Sequence, residues 1–335
     1  MTTGSVFGRR LAGVSAAFML AALAPFGAAA QEPVKVGGFP GDTLNIMAPA
    51  SAGGGWDGTA RAVQEALNAD KIAATGVDVF NRPGAGGTVG LAALSSQYRG
   101  QGHTAMITGL TMVGSTIINK SPVKLTDTTP IARLITEYQV VVVGKGSKYD
   151  TLEQVISDFK SNPGGFVWGG GPGGGPDHTT VGLISKAVGV PIAQLRYAAF
   201  SGGETRANIM GNQVSAGVAG YGEVKGDAAA GLVKILAVSS PERLPGADYP
   251  TLREKGIDVE FSNWRGIVGP PDMPEDARKA WIQMMQRLQS SPKWQELVKQ
   301  RNWTEAFLFG DDLTRHINAE LQRVEALFTE FGLIK

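Results

Sequence analysis

The stretch LNIMAPASAGGGWDGTARAVQEAL, residues 44–67, decides the class of fold. It opens with an apolar segment typical of a buried strand (44–49), continues through a glycine-rich loop, and closes with a helical pattern (59–68). A strand, a loop and a helix in this order are the repeating unit of α/β folds. The stretch therefore predicts an α/β protein and raises the question of what the loop binds.

The whole chain continues this alternation in two parts. The first part has predicted strands at 44–49, 77–82 and 104–109 and helices at 59–68 and 88–97. The second part begins near residue 131 with a strand at 138–143, which is apolar throughout and should be buried on both faces. We therefore expect two α/β units, followed by C-terminal helices.

Glycine-rich loops recur at four places, each between a strand pattern and a helix pattern. Backbone N–H groups in the first turn of a helix lack partners, and the helix dipole adds partial positive charge there. Glycine lets a ligand approach this backbone closely. The loops therefore predict anion-binding sites built mainly from backbone. They are PASAGGGWDG (49–58), NRPGAGG (81–87), GGGPGGGPDH (169–178) and FSGGE (200–204).

For any single loop, an ordinary tight turn with a side-chain cap is the alternative interpretation. Asp57, Thr88, Asp177 and Ser201 are all of residue types that cap helices. Four such loops in two α/β units favour ligand binding, because ligands collect beyond the carboxyl ends of strands in open α/β sheets.

A dinucleotide is one candidate for the anion. GGGWDG at 53–58 matches the spacing G-x-G-x-x-G, and Asp78 follows Gly58 by twenty residues, as in the dinucleotide fingerprint. However, residues 49–52 separate the strand from the first glycine, whereas the fingerprint opens directly after its strand. An NAD-dependent oxidoreductase therefore stays an alternative rather than the main prediction.

The N-terminus has the pattern of an export signal. Arg9 and Arg10 precede an apolar run at 11–26, and three alanines at 28–30 suit signal-peptidase cleavage. We expect residues 1–30 to be a signal peptide cleaved near Ala30, with the mature protein in the periplasm. The secretory and twin-arginine routes both stay open. Cleavage would change the formal net charge from +1 to −1.

Composition excludes several classes of function. The chain has no cysteine, and its three histidines lack metal-ligand spacing, so we expect no metal. A near-neutral charge without a basic block argues against nucleic acid as a partner. No hydrolase elbow, P-loop or zincin motif is present, so we expect no catalytic residue and no cofactor. An exported enzyme using His178 or Asp177 as a base is the alternative from another class.

The glycine loops and their surroundings resemble the periplasmic solute-binding receptors of tripartite tricarboxylate transporters. The resemblance covers nearly the whole chain, and the combination of GGGWD with NRPGAGG is specific. The matching segments are APASAGGGWDGTAR (48–61), NRPGAGGTVG (81–90), GGGPGGGPDHTTVGLI (169–184), GGETRANIMGNQVSAG (202–217) and NWRGIVGPP (263–271).

The resemblance implies a two-lobed α/β periplasmic-binding-protein (Venus flytrap) fold with a hinge. Lobe one would hold residues 34–132 and 258–335, and lobe two residues 133–257. It also implies a small di- or tricarboxylate ligand, citrate-like for the GGGWD form, and delivery to the membrane permease subunits of a transporter. We expect a monomer without cofactor. A role in signalling rather than uptake would use the same cleft.

The resemblance also implies the ligand-binding residues. One carboxylate would bind the two loops of lobe one, while lobe two would add specificity contacts. Arg206 and Arg265 would either bind the ligand as well or form salt bridges. A bulky residue at Gly54 or Gly86 should abolish binding and leave the fold largely intact. The implied residues are Ser51, Ala52, Gly53, Gly54, Gly55, Trp56, Asp57, Pro83, Gly84, Ala85, Gly86, Gly87, Thr108 and Gly109 in lobe one, and Gly173, Gly174, Asp177, His178, Ser201, Gly202 and Gly203 in lobe two.

Overall fold

A computed structural model of the chain describes residues 1–4, 32–37, 43–201 and 203–334. The chain divides into Met1–Glu32 and a compact unit, Pro33–Lys335. The elements described below belong to the compact unit. Most of the predicted signal peptide (5–31) lies outside the described residues, as does the predicted site residue Gly202. None of the helices in the described ranges has both the length and the apolar character that a membrane span requires.

Strands and helices alternate along most of the compact unit. The strands are β1 (Thr43–Ala48), β2 (Gly76–Asn81), β3 (Thr104–Gly109), β4 (Thr129–Gly144), β5 (Val167–Gly170), β6 (Arg196–Ala199), β7 (Ala216–Gly220), β8 (Val233–Val238), β9 (Ser262–Gly269) and β10 (Thr304–Phe309). The helices are α1 (Gly55–Ala69), α2 (Thr88–Ser96), α3 (Leu110–Ile118), α4 (Leu152–Ser161), α5 (Pro176–Ala187), α6 (Gly203–Met210), α7 (Tyr221–Ala229), α8 (Glu275–Gln289), α9 (Pro292–Arg301) and α10 (Asp311–Glu330).

Two sheets form the centre of the unit, and they share strand β4. In the first sheet the order is β2-β1-β3-β9-β4-β10, with β1 parallel to β2 and β3. In the second sheet the order is β8-β4-β7-β5-β6, with β5 parallel to β6 and β7. Each sheet thus has three parallel strands whose carboxyl ends lie at one edge, where ligands collect in α/β proteins.

Strand β4 passes from one sheet into the other. Residues 129–138 pair with β9, whereas residues 139–144 pair with β7 and β8. A second connection returns beside it, since Ser239 N–H donates to Gln139 O (2.8 Å) and Phe261 N–H to Ser239 O (3.0 Å). The predicted strand at 138–143 is therefore only the second half of a 16-residue strand. We call the body around the first sheet lobe one and the body around the second sheet lobe two.

Each lobe has its own apolar core. In lobe one, Trp281 and Trp294 are fully buried with helices α1 and α8 against the first sheet. In lobe two, Trp168 and Phe159 pack edge to face at 5.5 Å on one face of the second sheet, and a separate cluster around Val142 covers the other face. Burial on both faces explains why the second half of β4 is continuously apolar.

Three elements have no clear periodic signal in the sequence. Helix α3 is buried on most sides, so its sequence LTMVGSTII shows no polar face. Helix α7 contains two glycines and has only a weak apolar stripe. Strand β10 is half-buried along most of its length. It therefore lacks the alternation of apolar and polar residues that is typical of a strand with one solvent-exposed face.

Candidate ligand-binding site

A cavity lies between the two lobes where six helices begin. Each of these helices follows a parallel strand, and its N-cap or first turn lines the cavity. Helices α1, α2 and α3 come from lobe one, and α5, α6 and α7 from lobe two. The cavity has a volume of about 80 Å³. A single water needs roughly 10–15 Å³ on this scale, so the space suits a small solute.

Two loops of lobe one line the cavity with glycine backbone, and we call Gly54, Gly55, Gly84, Gly86 and Gly87 the glycine side. Helix α1 begins after Gly54, and no side chain caps it. Helix α2 begins after Gly87, which has a left-handed φ of 94° and again provides no side-chain cap. The first-turn N–H groups of both helices are therefore without side-chain caps, as an anion site requires.

Asp57 holds the first glycine loop instead of capping its helix. Its carboxylate accepts hydrogen bonds from Gly53 N–H (3.0 Å), Asn81 Nδ2 (2.9 Å) and Arg61 Nε (3.1 Å). Burial opposes ionisation of Asp57, but these donors outweigh it and lower its pKa. Since Arg61 pairs with this carboxylate, Asp57 does not cancel the positive end of α1.

Two glycines of the second loop are required by conformation and by packing. Gly86 has a φ of 62°, and a Cβ atom there would lie 2.1 Å from the Ser115 hydroxyl oxygen. Gly87 packs so closely on Trp56 that a Cβ would lie 2.5 Å from its ring. The expectation that a bulky residue at Gly86 leaves the fold intact is therefore wrong, because the clash and the strained backbone affect folding directly.

A buried ion-pair network at the crossing strands adjoins Gly55 of the glycine side. Arg265, on β9, donates through Nη2 to Glu223 Oε1 (2.9 Å) and to Glu137, and through Nη1 to Gly55 O (2.8 Å). The Arg265 and Glu137 side chains are 5% and 2% exposed, so water screens this pair little. Burial raises the pKa of Glu223, against the opposing effect of Arg265.

A further buried carboxylate, Asp177, lies in the first turn of α5. Gly171 N–H donates to its Oδ2 at 2.7 Å, and Gln139 Nε2 donates to Oδ1. Burial, reinforced by the nearby charge of Glu223, raises the pKa of Asp177 to about 7, although the two donors oppose this. The neutral form of Asp177 is therefore substantially populated at neutral pH, and in this form it donates a hydrogen bond as well as accepting them.

Three acceptor oxygens near this network have no hydrogen-bond partner. They are Glu137 Oε2, Gln139 Oε1 and Asn263 Oδ1. All three residues are less than 5% exposed, and Gln139 and Asn263 line the cavity. We call Glu137, Gln139, Asp177, Glu223 and Asn263 the acceptor cluster. Two of these oxygens, Gln139 Oε1 and Asn263 Oδ1, belong to residues that line the cavity and are free to accept hydrogen bonds there.

A profile of the tripartite tricarboxylate transporter receptor family, TctC, matches residues 59–333. The chain belongs to this family. The receptor is 27% identical over 246 residues to protein BugT of Bordetella pertussis (strain Tohama I), covering 71% of the receptor and 73% of BugT.

Solved structures of the same architecture support the fold. The periplasmic binding protein BugD is 21% identical, with a TM-score of 0.79 over 88% of the receptor and 99% of BugD. MatC from Rhodopseudomonas palustris, solved with bound malate, is 21% identical, with a TM-score of 0.76 over 86% of the receptor and 99% of MatC. The two-lobed periplasmic-binding-protein fold expected from the sequence is thus confirmed.

The structure brings some of the residues expected to bind ligand to the cavity and leaves others beside it. Those that line the cavity are Gly54, Gly55, Trp56, Gly84, Gly86, Gly87, Asp177 and Ser201. Those that do not are Ser51, Ala52, Gly53, Asp57, Pro83, Ala85, Thr108, Gly109, Gly173, Gly174, His178 and Gly203.

Several residues beside the cavity have a positioning role. The hydroxyls of Ser51 and Ser201 lie 3.3 Å apart and connect the two lobes. Gly174 approaches the backbone of Gly114 so closely that a Cβ would lie 3.0 Å from its carbonyl oxygen. His178 stacks on Tyr197 at 4.3 Å, and burial lowers its pKa to about 4, so it is neutral at neutral pH.

Thr108 and Gly109 lie in the core of the receptor. Strand β3 pairs with β9, so that Gly109 lies opposite Arg265. A Cβ at Gly109 would lie 2.3 Å from Trp264 O, which leaves no room for a ligand. The hydroxyl of Thr108 is buried without a partner.

Most residues of the acceptor cluster were not predicted from the sequence. Glu137 and Gln139 are polar residues in an apolar strand, and Asn263 and Arg265 stand two residues apart in β9. Residues at i and i+2 of a strand share a face, so each pair points to one side. Polar pairs within buried strands were the available signal. The other cavity residues not predicted are Pro49, Ala50, Thr111, Gly171, Pro172, Pro176 and Thr205.

The structure also places three residues whose roles the sequence left open: Asp78 of the dinucleotide alternative, Arg206 and Arg265. Asp78 lies exposed on β2 and does not line the cavity, unlike the ribose-binding acid of a dinucleotide fold. Arg206 donates twice to Asp227, at 2.7 and 2.6 Å, and does not line the cavity. Arg265 does line it but is already paired with two carboxylates.

Proposed function

We propose that the receptor captures a small carboxylate with two or three acidic groups in the periplasm and delivers it to the permease subunits of a tripartite transporter. The observation that carries this proposal is the convergence of six helix N-termini on one interlobe cavity, with α1 and α2 free of side-chain caps. Backbone N–H groups and helix dipoles favour anions. The malate in MatC supports a carboxylate of this size.

The affinity expected from such a site is sufficient for a receptor. Micromolar binding corresponds to about −8 kcal/mol, and each charge-assisted hydrogen bond contributes about 1.5–3 kcal/mol. A few backbone donors on one carboxylate therefore suffice, even after the cost of ordering the ligand. No cluster of basic side chains is needed.

The proposal includes a hinge between the lobes. We place lobe one at residues 34–132 and 258–335 and lobe two at 133–257. Because residues 133–138 still pair with β9 of the first sheet, we place the points of bending slightly inside these bounds, at Gln139 and near Phe261. Only these two connections would have to bend when the lobes open. Ser51 and Ser201 would separate in the open form, because their contact joins the lobes.

In this function the protein performs no chemistry. His178 is neutral and occupied with Gly174 N–H at 3.1 Å, and it lies beside the cavity rather than in it. We further propose that residues 1–30 direct export and are removed, and that the receptor works as a monomer. Because the GGGWD loop resembles the citrate-type form, the test panel includes citrate-type tricarboxylates.

The experiment is a thermal-shift screen of the purified protein, followed by calorimetry on each hit. The panel holds citrate and other tricarboxylates, C4 dicarboxylates, aromatic carboxylates and NAD. We expect a saturable rise in melting temperature with a small carboxylate and none with NAD, since a ligand that binds only the folded state stabilises it. Stabilisation by NAD alone would support the oxidoreductase alternative. If no carboxylate raises the melting temperature, the proposal is overturned.

A further inference from the structure

Helix α7 belongs to lobe two, but two charged side chains near its start contact lobe one. Glu223 Oε1 accepts a hydrogen bond from Arg265 Nη2 on β9 at 2.9 Å. Lys225 Nζ donates to Gln300 O, in the last turn of α9, at 2.8 Å, and it also donates to Asn302 Oδ1. Both contacts cross from one lobe to the other, so both would break when the lobes separate.

Glycine lets the two lobes approach closely at these contacts. A Cβ atom at Gly222, in the first turn of α7, would lie 2.8 Å from Arg301 O. A Cβ atom at Gly55, in the first turn of α1, would lie 2.3 Å from Glu223 Oε1. The sequence YGEVKGDAA of α7 therefore lacks a clear apolar stripe because one side of the helix makes polar contacts with lobe one.

The ion pair of Arg265 with Glu223 is shielded from water, unlike a second ion pair that joins the lobes. The Arg265 and Glu223 side chains are 5% and 22% exposed. Lys186 and Glu330, which connect α5 to α10, are 58% and 51% exposed. Water and salt screen an exposed pair strongly and a buried pair little. The contact of α7 with Arg265 should therefore contribute more to holding the lobes together.

The surroundings of Arg265 reduce the desolvation that closure of the lobes costs. Arg265 already lies out of water beside Glu137, so the approach of α7 adds only the desolvation of Glu223. Burial raises the pKa of Glu223, and Glu137 adds to this, whereas Arg265 and Arg206 oppose it. The cations on both sides of Glu223 thus favour its ionised form at the contact.

We propose that α7 acts as a latch that holds the two lobes closed before any solute binds. The latch consists of Glu223 on Arg265 and of Lys225 on the end of α9. When the lobes separate, Glu223 loses Arg265 and keeps Arg206 of its own lobe as a nearby cation. Arg206 is bonded to Asp227, one turn further along α7. The inference concerns the receptor without solute, so it goes beyond the proposed function.

Distance measurements between spin labels on the two lobes test this inference. The chain has no cysteine, so Ala69→Cys on α1 and Ala207→Cys on α6 provide the two label sites. Both alanines are exposed, and their helices begin at the cavity in different lobes. In protein dialysed free of solute, double electron–electron resonance should show mainly the separation that these positions have in the structure. A distribution dominated by a longer separation would overturn the inference.

Two variants of the labelled protein should shift it toward the open form. Glu223→Gln removes the charge but leaves Glu137 as the partner of Arg265, so we expect the fold to be retained. The ratio of closed to open receptor should fall at least fivefold. Lys225→Met removes the contact with the end of α9 and should lower the ratio at least threefold. An unchanged ratio in Glu223→Gln would overturn the inference, whatever the effect of Lys225→Met.

The control is Lys186→Met, which removes the exposed ion pair to Glu330 that also joins the lobes. Because water screens this pair, the ratio of closed to open receptor should change less than twofold. A fall as large as that of Glu223→Gln would assign closure to interlobe charge in general and contradict a specific role of α7. None of these measurements involves a ligand, so a carboxylate screen without hits would overturn the proposed function and leave the test of the latch unaffected.

Discussion

On the glycine side of the cavity the polar groups are backbone N–H groups, whereas in the acceptor cluster they are buried side-chain oxygens. The first wall comes from two loops of lobe one. The second is assembled from β4, β9, α5 and α7, which are far apart in the chain. Asp57, the one acid of the first loop, is neutralised by Arg61. Two acids of the acceptor cluster, Glu137 and Glu223, form ion pairs with the same arginine, Arg265.

Under the proposed function, this difference assigns general and specific recognition to different groups of residues. A backbone site binds any carboxylate, since it uses groups that every residue has. Side-chain acceptors distinguish one solute from another, because a ligand without matching donors leaves them unpaired. Substitutions on the two walls should therefore have different consequences.

Arg265→Met should have the largest effect, on stability. The change leaves Glu137 and Glu223 buried with no cation beside them, and removal of one partner from a buried ion pair costs about 3–5 kcal/mol. We expect a loss of this size in the free energy of unfolding, measured by urea denaturation. Adding Glu137→Gln should recover part of it. A loss below about 1 kcal/mol would show that the network is not the electrostatic centre of this wall.

Gly54→Leu should have the next largest effect, on binding. Gly54 has an ordinary φ of −84°, so a side chain fits its backbone, but it lines the cavity and would occupy the space of the ligand. We expect a loss of affinity of at least ~100-fold, or about 2.7 kcal/mol, with little change in the free energy of unfolding.

Gly76→Leu is the control on the same lobe. Gly76 is exposed at the start of β2, and nothing lies within 4 Å of a Cβ built there. It should leave the affinity unchanged. If Gly54→Leu binds normally by calorimetry, the glycine loops are turns and the anion site lies elsewhere.

Proton uptake at Asp177 should be a smaller effect. Burial and the charge of Glu223 raise its pKa to about 7, so both its neutral and its ionised form are populated at neutral pH. A carboxylate bound in the cavity would raise this pKa further, so binding of succinate or citrate should take up a fraction of a proton at pH 7. Calorimetry in buffers of different ionisation enthalpy measures this uptake, and proton release on binding would contradict a carboxylate beside Asp177.

Asp177→Asn provides the control for proton exchange and a second test of the pKa. The raised folded-state pKa, against the ordinary 3.8, means that the folded chain holds this proton more tightly than the unfolded chain. The contribution of Asp177 to stability therefore falls as pH rises from about 4 to 7 and is constant above that. Relative to the parent, the variant should gain stability over this range. Glu137, Glu223, Arg265, Tyr197 and neutral His178 surround the site in both proteins.

The two walls also differ in what the sequence could reveal. Each glycine loop is contiguous, so its strand, loop and helix are visible in one stretch such as 44–67. The acceptor cluster depends on the register that places Glu137 opposite Asn263, and on β4 passing between the sheets. Pairing between strands more than a hundred residues apart is decided by packing of both lobes, which no local pattern encodes. The polar residues within β4 and β9 can be recognised in the sequence, but which of them lie side by side in the fold cannot be predicted from it.

Arg206→Ala should have the smallest effect. It tests whether carboxylate binding at the glycine side requires a side-chain cation. Arg206 is bonded twice to Asp227 and lies outside the cavity, so its loss should change ligand affinity less than about twofold. The free energy of unfolding should fall by about 1–2 kcal/mol, because the pair is partly exposed but leaves a largely buried carboxylate behind. A tenfold loss of affinity with unchanged stability would mean that Arg206 turns toward the solute when it binds. In that case carboxylate recognition would extend into lobe two, and the division between a backbone wall and a side-chain wall would no longer hold.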